Sequence, residues 1–197
     1  MARFHPVITR YAPESFDLWP VSRAGDAWVR LDGTVDQAEV GTVLCTMYLH
    51  SGGSDARTAA AAVHELIGFD TLFGHGGLLL DGGDGVRVEP RVGELFEWRT
   101  WLGALHRAPV DLGRPPAPWV EYVGADVVRV WSDEGRDVPH VDVPRSALPS
   151  MLRAAQRDLA DFLGPLRSWA GVHSPHQVEL LVASVDAGLH ITEPLPL

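Results

Sequence analysis

The residues best suited to chemistry are nine histidines, one cysteine and a surplus of carboxylates. In "HSPHQVE", His173 and His176 lie close together and Glu179 follows three residues on. Two imidazoles and a carboxylate are ligand types that Zn²⁺ accepts. His173 precedes the helix start expected at Ser174, however, and His176 falls in the first turn, so the rings need not point the same way. "HELIG" at 64–68 places Gly68 where an HExxH motif requires its second histidine. The reading is surface histidines with no metal and no cofactor, and His173, His176 and Glu179 stand as the metal-binding alternative. Asp81, Asp84 and Glu89 in "DGGDGVRVE" offer oxygen ligands, but their spacing departs from the calcium-loop pattern and reads as a solvated glycine-rich turn.

Nucleophilic chemistry finds no complete set either. Cys45 sits among Val43, Leu44 and Met47, the setting of an inert buried thiol. No G-x-S-x-G elbow is present, and "GHGG" at 74–77 without one is a turn. All sixteen basic residues are arginine, so neither a lysine Schiff base nor a Walker A phosphate contact is available. The balance leans away from an enzyme, and no catalytic residue is assigned.

Binding is the better-supported class. Seven tryptophans are a generous supply, and tryptophan is enriched at interface hot spots. In "GELFEWRTWLGALH" (93–106), α-helical spacing puts Leu95, Trp98, Leu102 and Leu105 on one buried stripe. Trp101 falls at its edge and is expected to be partly exposed. Trp119 and Trp131 fall on the two arms of a hairpin, and "WSDEGRD" places Asp133, Glu134 and Asp137 beside Trp131. The expected binding surface is therefore Trp101, Trp119, Trp131, Asp133, Glu134 and Asp137. A net charge of −10 with no basic run argues against nucleic acid and suits a basic protein partner. The expected function is a non-enzymatic protein-binding domain, immunity- or inhibitor-like. The alternative is a small-molecule or metal-dependent enzyme using His, Asp and Glu residues.

These residues need a scaffold, and 197 residues with 46% hydrophobic content can bury one core. The expected class is α+β: a single domain, 1–197, with a mixed or antiparallel sheet packed by about four helices. Residues 1–25, carrying Pro6, Pro13 and Pro20, read as irregular, and "DAWVRLDG" (26–33) as a strand. "GTVLCTMYLH" (41–50) is a near-continuous apolar run and reads as a central strand. A helix follows over 51–68, capped by Ser54 or Asp55 and closed by Gly68. Then come a glycine-rich loop (74–85), a short strand (86–90) and the Trp98 helix. After a proline-rich connector (107–119), two strands joined by Gly124–Ala125–Asp126 form a hairpin, with a third strand at 138–144. Residues 146–170 carry a seven-residue apolar repeat, with Ser146 as cap and a kink at Gly164–Pro165. That repeat also allows a homodimer. Residues 171–197 hold a final helix, capped by Ser174 and ended by Gly188, and a tail. No apolar run is long enough to span a bilayer, no secretory signal is visible, and one cysteine allows no internal disulfide. Cytoplasmic residence with no membrane contact is the expectation.

The segments "ELFEWRTWL", "PAPWVEY", "VVRVWSDEG" and "HVDVPRSALPSMLRAAQRDLADFLGPLRSWA" together resemble an uncharacterised family of acidic proteins from GC-rich actinobacteria. In that family a Trp-Arg-x-Trp helix precedes a Pro-Trp-Val strand, an R-x-W-x-D strand and a C-terminal leucine-rich helix. The resemblance spans roughly residues 74–170 and carries no activity to transfer. Its relatives often bear a cysteine cluster before the Trp-rich helix; this chain has "VEPRVGELF" there, so the resemblance implies no thiol or metal role at that position.

Overall fold

The computed structural model describes residues 2–91, 93–113, 117–133 and 138–197. The class is α+β, with two antiparallel sheets rather than one. The first sheet runs β2-β1-β3-β4 and comprises β1 (Arg3–Thr9), β2 (Trp28–Arg30), β3 (Gly76–Asp81) and β4 (Arg87–Val88). The second runs β5-β6-β7, from Trp119–Val123, Val127–Trp131 and His140–Pro144, and meets the first where β4 lies against β7. Among the described residues, four α-helices, α1 (Gln37–His50), α2 (Ala59–Gly68), α3 (Leu148–His173) and α4 (Val178–Gly188), join a 3-10 helix at Leu95–His106 and a 3-10 turn at Arg145–Ala147. Among the described residues no helix is long and apolar enough to cross a membrane.

Several expectations are overturned. Residues 41–50 are helical, not a strand. Asp36 accepts from the Glu39 N–H at 2.8 Å while Glu39 accepts from the Asp36 N–H at 3.3 Å, so a capping box starts α1. Residues 40–48 are buried all round, which removes the polar face that marks a helix in sequence. The Thr42 and Thr46 hydroxyls donate to the carbonyls of Ala38 and Thr42, four residues back, and so find partners inside the core. The N-terminal segment is likewise not irregular throughout, because β1 is a central strand with Phe4 and Ile8 in the core. Pro6 is tolerated because it faces Leu31 just past the end of β2, where its missing N–H removes only the last ladder bond. The glycine-rich stretch contains β3. Its glycines allow close strand approach, since a Cβ on Gly76 would sit 2.2 Å from the Val7 carbonyl oxygen.

The Trp98 segment is helical, but of the 3-10 kind over twelve residues, long for that geometry. Its period of three stacks Leu95, Trp98, Trp101 and Ala104 on one line, and those are its buried residues. Trp101 is therefore core, only 4% exposed, with its ring 4.6 Å from Phe4. The partly exposed Trp101 expected from a 3.6-residue period is corrected by the change of period.

Other boundaries shift by a turn. Thr58, not Ser54 or Asp55, caps α2, and Phe69 ends it without a left-handed glycine. Ala147 rather than Ser146 precedes α3, and α4 starts after Gln177 rather than at Ser174, whose hydroxyl bonds the Gln177 side chain at 2.6 Å. The α3 repeat holds: Leu148, Leu152, Ala155, Leu159, Phe162, Leu166 and Trp169 are all fully buried. Being spent inside the chain, that stripe is not available to a second copy. The hairpin and third strand form as expected, with Gly124 at φ 61° in the turn.

Candidate functional site

Period-two alternation divides the residues of β5–β7 between two faces. Val128, Val130, Val141 and Val143 point inward and are buried. The outward residues line up in rungs, because Trp119 pairs with Trp131 and Trp131 with His140, while Glu121 pairs with Arg129 and Arg129 with Asp142. The aromatic rung is stacked: the indoles lie 5.8 Å apart at 11°, and His140 sits 4.5 Å from Trp131. The charged rung supports it. Arg129 forks onto Asp142 at 2.7 and 2.9 Å, and its guanidinium lies 5.5 Å from the Trp131 centroid. The hydrogen bonds from Arg129 hold the Asp142 carboxyl below its ordinary range. The Trp131 indole donates to Glu121 at 2.9 Å and that of Trp119 to the Asp133 carbonyl at 3.0 Å. Trp119 remains 39% exposed.

This face gathers Trp119, Trp131 and Asp133 from the expected surface. Trp101 is not part of it, and Glu134 and Asp137 lie outside the described residues. The acidic rim is also less free than expected, since Asp142 is paired with Arg129 and Asp133 with Arg91 at 3.2 Å.

The metal alternative does not converge. Glu179 is forked by Arg167 at 3.0 and 3.1 Å, and the His173 ring packs 4.5 Å from Trp169. Among the described residues no three His, Cys, Asp or Glu side chains are grouped to hold a metal ion. Asp81 and Asp84 accept from the N–H groups of Gly83 and Val86 within their own turn, and Glu89 accepts from the Trp28 indole at 3.1 Å. Cys45 is fully buried, and burial pushes its thiol up to about 12, so it stays protonated and inert.

A second cluster went unnoticed in the sequence. His75 Nδ1 lies 3.0 Å from Glu94 Oε1, while Glu94 Oε2 accepts from the Gly74 N–H at 2.8 Å. The His50 ring packs 4.4 Å from His75 on one side and stacks on Tyr11 at 5.2 Å on the other. Burial first, and His75 second, hold the His50 pKa below the ordinary histidine value. Its four members come from the ends of four elements, so no local spacing announces them.

No family model matches the chain, and no curated protein or solved structure matches it.

Proposed function

We propose that the chain is a protein-binding domain, immunity- or inhibitor-like, that engages a basic protein partner through the outward face of β5–β7. One observation carries the reading: Trp119 and Trp131 are stacked on an outward face, whereas Trp19, Trp98, Trp101 and Trp169 are buried. A rigid aromatic rung supplies contact area at small entropic cost. With Asp133 and Asp142 already ion-paired, attraction of a basic partner comes chiefly from the net charge of −10. It should act more on association rate than on affinity. Affinity capture from native lysate at low and high salt, with wild type beside Trp119→Ala, tests the reading. A partner held by wild type and lost by the variant supports it. Capture that survives Trp119→Ala removes this face, and no partner at either ionic strength removes the function.

The enzyme reading retains one observation. Glu94 holds Nδ1 of a half-exposed His75, which leaves Nε2 as a general base. Hydrolysis of an activated ester above the free-imidazole background, lost in His75→Ala, would favour it; a rate equal to background in both proteins ends it.

A further inference from the structure

The Tyr11–His50–His75–Glu94 cluster does more than fill space, because it fastens two surface segments to the end of α1. The Tyr11 N–H donates to Thr46 Oγ1 at 3.3 Å, and that hydroxyl also lies within reach of the Thr9 and Tyr11 carbonyls, at 3.0 and 3.1 Å. The Phe73 N–H donates to Ser51 Oγ at 3.0 Å, just beyond the last residue of α1. Gly74 lies directly on the core: a Cβ there would come within 2.6 Å of Ile8 Cδ1. Next to it, the Phe73 ring packs edge-on to Phe96 at 5.9 Å. Phe96 also lines a mixed groove of about 630 Å³ between the end of α2 and α4, together with the apolar Phe69, Leu72 and Leu180 and the polar Asp70 and His190.

We propose that this cluster is a proton-operated clasp, which pins Tyr11 and the 73–75 segment to α1 at neutral pH and releases them when His50 and His75 are both protonated. The groups facing His50 are Tyr11 from the end of β1, His75 from the approach to β3 and Glu94 from the start of the 3-10 helix. A charge on His75 would have a partner, because Glu94 Oε1 lies 3.0 Å from its Nδ1; a charge on His50 would have none among the described residues. The one carboxylate in reach is already shared between His75 and the Gly74 N–H, and the buried His50 Nδ1 has no hydrogen-bond partner among the described residues. Tyr11 meets His50 ring on ring, 5.2 Å between centroids, and brings no carboxylate to it. The dipole at the end of α1 favours a cation, but burial and His75 outweigh it. Two imidazolium rings 4.4 Å apart therefore repel, and separation of the stack relieves the repulsion. Release of Phe73 would uncover one face of Phe96, a residue that lines the α2–α4 groove. The clasp stands independently of the binding face on β5–β7.

Amide exchange of the full chain, corrected for the intrinsic effect of pH, reads the clasp through the Tyr11, Phe73 and Gly74 N–H groups. Between pH 7.5 and 5.5 their protection in wild type should fall severalfold. In His50→Phe, which keeps a ring in the stack but takes no proton, protection should be independent of pH. Unchanged protection in wild type, or the same loss in His50→Phe, overturns the clasp. Because the variant could fold poorly, the His50 ring is also titrated in wild type by NMR. A midpoint below the ordinary histidine value is expected, and one at or above it overturns the proposal equally.

Discussion

Two tryptophan pairs in this chain meet opposite fates. Trp98 and Trp101 stand three residues apart on a 3-10 helix and both enter the core; the Trp98 indole donates to the Leu189 carbonyl at 2.8 Å, and Trp101 packs on Phe4. Trp119 and Trp131 stand twelve positions apart but directly opposite across β5 and β6, and both face outward. Residue type does not distinguish the pairs. The period of the local element does: a repeat of three aligns i and i+3 on the buried line, whereas a repeat of two puts both strand partners on whichever face the first one takes.

The largest expected effect separates the pairs by stability. Trp98→Ala and Trp101→Ala should each cost about 3–5 kcal/mol, as cavity-forming changes in a packed core. Chemical denaturation measures this, and a Trp101→Ala cost far below that of Trp98→Ala would restore the α-helical period and undo the contrast. Acid should weaken the inner region next. His5, His50 and His173 all have pKa values lowered chiefly by burial, so the unfolded chain binds protons more readily. Their contribution is fully present above an unfolded pKa of about 6.5 and is lost as pH falls through it toward the lower folded values. Thermal melts from pH 8 to 5 should show stability dropping, and a flat profile would mean that these rings are solvated. Smaller still is Trp119→Ala, expected to cost about 1 kcal/mol or less, as a cross-strand pair on an open face. A cost near that of Trp98→Ala would make the outward rung structural rather than a binding face. The least effect belongs to Cys45: a thiol reagent should leave the native protein unlabelled and react only once it is unfolded, and rapid native labelling would contradict its burial.

The outer face was legible from residues alone, because His-Val-Asp-Val alternates strictly and the other two strands each carry one central charge, Glu121 or Arg129, that marks the wet side. Alternation also marks which side is apolar, so Trp119 and Trp131 could be placed together. The partners that neutralise this face were not legible: Arg91 reaches Asp133 from the far end of the β4 connection. The histidine cluster was hidden for a stronger reason. Tyr11, His50, His75 and Glu94 lie on segments separated by whole elements, and the local patterns around His50 and His75 resemble a strand and a turn.

Local sequence suffices wherever one face of an element meets water, as in the α3 stripe from Leu148 to Trp169 and the β5–β7 strands, because partial exposure writes a period into the residues. Tertiary structure alone decided the rest. Helix α1 is buried on every side, so its apolar run carries no period and resembles a central strand. Strand β1 takes a central position despite Pro6, because β2 ends opposite the missing donor. Trp101 is buried because the 3-10 helix follows a period of three, set by packing that no single segment records.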